Sequence, residues 1–172
     1  MKVTMVSSEK GVTIYSGKAK KPKKKVKKHT KAECLTLFQK WAKLRECTDG
    51  YGYCISCGKR YPSSQLQGGH YVSRACLCLS DDEDNVHAQC PACNVLMKGN
   101  LIGYRRGLER KIGASRLMRL DDMYFASRGD DEAFERLSPS DKVKVKEKRS
   151  AQYWDERYKE IKQRLKELED ES

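Results

Sequence analysis

The sequence predicts an α+β fold: a small cysteine-rich core with flanking helices and a basic N-terminal arm. Three observations carry the prediction. Two Cys-x-x-Cys pairs, Cys54/Cys57 and Cys90/Cys93, bracket a glycine-punctuated middle. Apolar residues recur at helical spacing before and after that middle. Lysine is concentrated at one end of the chain.

Of 172 residues, 35% are charged and 38% hydrophobic, which leaves material for one domain with extensions around a modest core. Residues 1–31 hold eleven lysines against one acid, Glu9, whereas the remainder is nearly balanced at 25 basic and 23 acidic residues. The run KAKKPKKKVKKHTK, Lys18 to Lys31, repels itself too strongly to pack, so residues 1–31 read as a disordered arm. Such an arm fits a polyanion, because counterion release binds lysine to phosphate backbones without sequence preference. The plainer reading is a solubilising tail. No apolar run is long enough to cross a membrane, and the N-terminus lacks the apolar stretch of a signal peptide. A soluble, cytoplasmic chain is expected, and there paired Cys-x-x-Cys motifs favour metal over disulfides.

After the arm, AECLTLFQKWAKLREC places Leu37, Trp41 and Leu44 on one helical stripe, widened by Phe38 and Ala42, with Thr30 as the candidate N-cap. From Tyr51 to Leu79 short segments such as YGYCISCGKRY and GGHYV read as turns and brief strands. A helix is expected to start near Cys90 or Pro91. NLIGYRRGLERKIG supplies another, with Leu101, Tyr104, Leu108 and Ile112 on one face, Gly103 and Gly107 weakening it, and Gly113 as its stop. A turn at Ser138 to Asp141 opens a charged helical stretch in which Trp154, Tyr158, Ile161, Leu165 and Leu168 form a heptad-like seam. That seam suits either packing on its own domain or a homodimer. The organisation expected is an arm over 1–31, a core domain with its leading helix over 32–115, and a helical extension over 116–172.

Two residues between cysteines let a tight turn present two thiolates to one ion, and two such turns complete a closed tetrahedral shell. Cys54, Cys57, Cys90 and Cys93 are therefore expected to hold a structural zinc, in preference to a redox pair or an iron-sulfur cluster. Cys34, Cys47, Cys76 and Cys78 read as free thiols. Thirty-two residues separate Cys57 from Cys90, more than a simple zinc ribbon needs. The insert holds His70, Arg74, the acidic run Asp81 to Asp84, Asn85 and His87, and Asn94 follows the second pair. On a strand Asn85, His87 and Gln89 would share one face.

The strings GGH, NVHAQC and CxxCN with Lys98 resemble the HNH branch of the ββα-metal nucleases. The longer string GHYVSR…NVHAQCPACN…KGNLIGYRRGLERKIG is similar to the NinG/Rap recombination endonucleases of lambdoid phages, over about residues 50 to 113. The resemblance implies a zinc-stapled ββα core holding one divalent ion, magnesium or manganese, and structure-selective cleavage of branched DNA such as Holliday junctions. It makes His70 the general base and Asn85 the residue that pins the hairpin loop, and it implies a 5′-phosphate product. It puts Asn94 on the catalytic ion. Gly69 stands where the wider fold carries a metal-binding aspartate, so His87 is the first replacement candidate and an acid from Asp82 to Asp84 the second. The lysine arm stands in place of the family's cysteine-bearing N-terminal segment. Gly68 and Gly69 are expected to let the backbone approach closely at His70. Arg74, Tyr104, Arg105 and Arg106, with Arg110 and Lys111, are expected to face DNA, the alternative for the arginines being a solvated helix face. Competing functions are a non-catalytic zinc-containing nucleic-acid-binding module and a sequence-directed HNH endonuclease.

Overall fold

The computed structural model describes residues 28–170; most of the lysine-rich arm, residues 1–27, lies outside them. Helix α1, Lys31–Leu44, starts at a reciprocal cap: the Thr30 hydroxyl accepts from the Glu33 amide, and the Glu33 carboxylate accepts from the Thr30 amide. Its buried face is Cys34, Leu35, Phe38, Trp41 and Ala42, with Leu37 and Leu44 at the margins. Of the expected stripe Phe38, Trp41 and Ala42 are buried and Leu37 and Leu44 lie at its edge, so the face is rotated toward Cys34 and Leu35.

Three short antiparallel strands follow: β1, Cys47–Thr48, β2, Tyr51–Tyr53, and β3, Arg60–Pro62. Asp49 and Gly50 both have positive φ, the geometry of a two-residue hairpin whose twist matches its strands. A second antiparallel pair, β4, Gln67–His70, and β5, Val86–Gln89, sets Gly69 opposite His87 and His70 opposite Val86. The hairpin β4–β5 packs on α1. A Cβ at Gly68 would lie 2.5 Å from the Gln39 carbonyl oxygen, and one at Gly69 would strike the Gln89 side chain. Gly68 thus seats the hairpin on the protein's own helix, and Gly69 leaves room for Gln89 of the paired strand.

Pro91 leads into a short π-helical turn, Ala92–Leu96, and then helix α2, Leu101–Ala126, capped by the Asn100 side chain. Gly113, at φ 81° and ψ 162°, breaks α2, but the chain resumes helical geometry at once, so the glycine is a kink within the element where a stop was expected. Tyr104 and Leu108 before the kink share one core with Leu117, Leu120 and Met123 after it. Helix α3, Asp131–Arg136, had no counterpart in the sequence reading. The expected turn at Ser138 is the N-cap of α4, Pro139–Lys146.

Helix α5, Ala151–Asp170, returns to α1. Trp154, Ile161 and Leu165 are buried with Cys34, Phe38, Trp41 and Val86, and Tyr158 and Leu168 pack at the edge. The seam thus packs against α1 within the chain, the first of the two arrangements its periodicity suits. His29 reinforces this joint, stacking on Tyr158 with ring centroids 3.7 Å apart and meeting Asp155 Oδ1 at 2.8 Å. Among the described residues no helix is long and apolar enough to cross a membrane.

A candidate metal centre and the histidine hairpin beside it

The Cys54-x-x-Cys57 turn leaves β2, and the Cys90-x-x-Cys93 turn leaves β5 into the π-helical turn. Their four Sγ atoms lie within 4.8 Å of one another. A tetrahedral shell at about 2.3 Å from its ion separates its sulfurs by about 3.8 Å, so the set fits a metal such as zinc. Donors are aimed at the sulfurs: the backbone N–H groups of Ser56 and Cys57 at Cys54, and Asn100 Nδ2 at Cys93 from 3.3 Å. The first turn is tied to β5 by the Ile55 amide, which donates to the Ala88 carbonyl at 2.8 Å. It rests directly on α2, because Gly103 and Gly107 face the Ser56 and Ile55 carbonyls with no room for a side chain.

His70 ends β4, half-buried, with Nε2 3.0 Å from the Ser80 carbonyl oxygen. A carbonyl only accepts, so Nε2 carries the proton, and a neutral ring keeps its lone pair on Nδ1. Burial lowers the His70 pKa; the Ser80 hydrogen bond opposes this, and the Arg74 charge adds to it. The hydrogen bond thus fixes one tautomer, and burial favours the neutral ring. Asn85, fully buried, spans the loop between the strands: Oδ1 accepts from the Val72 amide at 2.7 Å, and Nδ2 donates to the Val72 and Leu79 carbonyls at 2.8 Å. It fixes the turn that presents Ser80 to His70.

Several expected site residues stand elsewhere. His87 is 2% exposed, with Nδ1 2.5 Å from Glu46 Oε1 and Nε2 3.0 Å from the Asp84 carbonyl oxygen. Both ring nitrogens are occupied, so it is a buried structural pair and offers no lone pair to a catalytic ion. Tyr104 is fully buried; its hydroxyl donates to the Gly69 carbonyl at 2.7 Å and accepts from the His87 amide at 3.0 Å. It joins the two strands of the hairpin to α2 and does not face DNA.

The acidic run is consumed by arginines. Asp81 binds Arg149 and Arg157, Asp82 binds Arg119, Glu83 binds Arg45 and Arg164, and Asp84 binds Arg116. These acids lock α1, α2 and α5 to one loop, so the structure holds each acid from Asp82 to Asp84 in an arginine pair. Asn94 is partly exposed, its Nδ2 2.7 Å from Gln67 Oε1, beside a shallow cavity of about 380 Å³ lined also by Gln39, Lys40, Lys43 and Gly68.

Among the cations, Arg74, Arg106 and Arg110 are exposed and have no ion pair among the described residues. Arg105 is held by Asp121 at 2.6 Å and by the Tyr71 hydroxyl at 2.8 Å, and Lys111 reaches Glu46 at 2.9 Å. Sequence reasoning missed Glu46 and Ser80. Neither lies in a motif, and each acts through a partner distant in sequence.

Residues 9–151 match the family model described as Bacteriophage Lambda NinG protein. Curated relatives carry the name Protein ninG: that of Salmonella phage P22 is 33% identical over 99 residues, covering 57% of this chain and 48% of the relative. That of Escherichia phage lambda is 32% identical over 99 residues, with 57% and 48% covered. That of Escherichia phage 933W is 46% identical over 61 residues, with 35% and 30% covered. The chain thus spans at most about half the length of these relatives. No solved structure matches.

Proposed function

Because the chain belongs to the NinG family of bacteriophage proteins, we propose that it is a structure-selective DNA endonuclease of HNH type, acting on branched recombination intermediates such as Holliday junctions. The observation that carries this reading is His70: a half-buried imidazole, held to one tautomer by the Ser80 carbonyl and favoured in its neutral form by burial, at the end of a hairpin stapled by the cysteine cluster. Nδ1 is then the base that takes a proton from the attacking water. Asn85 fixes the loop that orients the ring, and Arg74, four residues on and exposed, suits a phosphate contact. Arg106 and Arg110 extend the cationic surface.

When bound, magnesium or manganese would stabilise charge developing on the phosphate. The residues named for that ion do not all fit: His87 and Asp82 to Asp84 are committed to other partners, which leaves the Asn94 amide oxygen. One neutral oxygen is a poor site for a hard cation, which takes carboxylates along with water and phosphate. This favours a second reading, a non-catalytic zinc-containing module that binds DNA through its cations, with His70 structural.

One experiment separates them. Wild-type and His70→Ala proteins, each carrying its full complement of zinc, are incubated with magnesium or manganese and with linear, forked and four-way DNAs. The nuclease reading expects the wild type to nick branched DNA before linear DNA, and His70→Ala to bind with near-native affinity but not cut. Wild-type protein that binds every DNA and cuts none would leave the binding module. Cuts at fixed sequences in linear DNA would indicate sequence-directed cleavage.

A further inference from the structure

Apart from the four clustered cysteines, the protein places two thiols together. Cys76 and Cys78 flank Leu77 on the loop between β4 and β5, and their Sγ atoms are 3.4 Å apart. The surroundings differ on the two sides. Cys76 is partly exposed; its Sγ lies 3.4 Å from Ser127 Oγ, at the end of α2, and within the field of Arg128. Cys78 is 4% exposed, and its next acceptor, the Met123 carbonyl, is 3.9 Å away. One thiol is thus reachable and surrounded by donors and positive charge, whereas the other is sheltered directly behind it.

We propose that Cys76 and Cys78 form a reversible thiol–disulfide site, in which Cys76 is the reacting thiolate and Cys78 the resolving thiol, with a hydroperoxide as the oxidant. The Cys76 sulfur attacks the O–O bond of the hydroperoxide. An S–O bond forms, the O–O bond breaks, and the departing oxygen takes a proton to leave as water or an alcohol. Cys78 then gives up its proton and attacks the Cys76 sulfenic sulfur, and the S–S bond forms as the hydroxyl leaves as water. The two thiols together lose two electrons, and the peroxide is reduced by the same two.

The division of roles follows from the hydrogen bonds. The Cys78 thiol, the Leu79 amide and the Ser127 hydroxyl all favour the anionic form of Cys76 and, with Arg128, outweigh the opposing effect of burial, bringing its pKa down to about 6. The bond given to Cys76 and burial together push the Cys78 pKa up, so it stays protonated until the sulfenic acid forms beside it.

The site is wired to His70. Within four residues of Cys76, the Cys78 carbonyl accepts from Arg149 Nη2 at 3.2 Å, the Leu79 carbonyl accepts from Asn85, and the Ser80 carbonyl holds His70 Nε2. Drawing the sulfurs from 3.4 Å to the roughly 2.05 Å of a disulfide pulls on this turn. Oxidation is therefore read at the imidazole, whatever reaction the imidazole serves.

The test uses the full chain with zinc bound, titrated with hydrogen peroxide below the level that releases zinc, then alkylated and cleaved with trypsin and an Asp-specific protease to give residues 75–80. The fragment is expected to lose two hydrogens, escape alkylation, and revert with dithiothreitol. Cys78→Ser should instead accumulate a Cys76 sulfenic acid trapped by dimedone, and Cys76→Ser should leave Cys78 alkylated. The His70 ring nitrogen resonances should shift in the oxidised wild type and not in treated Cys76→Ser. The proposal is overturned if residues 75–80 remain doubly alkylated while other thiols oxidise, or if Cys76 passes directly to sulfinic acid with Cys78 present. A disulfide that leaves the His70 resonances in place would overturn the wiring.

Discussion

Asn85 and the backbone of Val72 are joined by a closed pair of hydrogen bonds, the carboxamide oxygen accepting from the amide and the carboxamide nitrogen donating to the carbonyl. A side chain here does what a neighbouring strand would do, at a place where the loop has no strand to pair with. Asn85→Ala leaves the buried Val72 amide and carbonyl and the Leu79 carbonyl without that partner, and should cost about 3 kcal/mol in urea unfolding. Asn85→Asp keeps the acceptor but sets a carboxylate against two carbonyls, and should be at least as damaging.

Chelating the metal should unfold the middle of the chain while α1 and α5 keep part of their helical signal. Structural zinc contributes folding free energy on the order of 10 kcal/mol. Cys54→Ser and Cys93→Ser should each lose metal and show the same collapse of amide protection over residues 47–100. Metal-free protein with native protection there would contradict the role given to the four sulfurs.

Gly107→Ala sets two effects against each other. Alanine favours the helix by about 1 kcal/mol, yet its Cβ would run into the Ile55 carbonyl. Overpacking costs about 1 to 3 kcal/mol, and the obstacle is backbone carrying the first cysteine turn, so the net change should be destabilising and should weaken zinc retention. A raised melting temperature would show that this turn can retreat freely from α2.

The Glu46 carboxylate sets the acid limit. Burial raises its pKa, but the hydrogen bond and charge of His87, the Ala88 amide and Lys111 outweigh burial and bring it to about 2, against an ordinary 4.5. A depressed folded pKa means that the stabilisation is complete above about pH 4.5 and is lost as pH falls toward 2. Between those limits the wild type should lose roughly 3 kcal/mol from this group. Glu46→Gln should be less stable at neutral pH and show a flatter stability profile over that window.

Ile161 is fully buried between α5 and α1. Ile161→Asp should therefore destabilise the fold by roughly 4 kcal/mol or more, because the carboxylate has no partner in that core. Sedimentation before and after the change checks the assignment. A dimer that becomes a fully folded monomer would return the seam to an intermolecular role.

The parts legible in the sequence are those whose cause is local. The Cys-x-x-Cys spacing announced the cysteine cluster, and Thr30 announced the start of α1. The repeat from Trp154 to Leu168 announced α5, though periodicity cannot say which surface receives it. Tyr104 carried two expectations, a place on the apolar face with Leu108 and a place on the DNA side; the helical period was the sounder guide. Gly103 and Gly107 read as weaknesses of a helix because the carbonyls they accommodate lie about fifty residues earlier. His87 looked like a ligand because Glu46, which occupies it, precedes it by 41 residues. The run from Asp81 to Asp84 looked like free acid for a similar reason.

That acidic run has a consequence for how the protein is made. Asp81 waits 68 residues for Arg149, and Glu83 waits 81 for Arg164. While the intervening chain is still being translated, four adjacent carboxylates emerge on the loop of the hairpin bearing His70, and of these only Glu83 has an arginine partner already made, Arg45. Asp82 and Asp84 are met by Arg119 and Arg116 once α2 folds, whereas Asp81 waits for Arg149 and Arg157, and Glu83 for Arg164, so the loop between β4 and β5 is balanced in two stages and α5 completes the second.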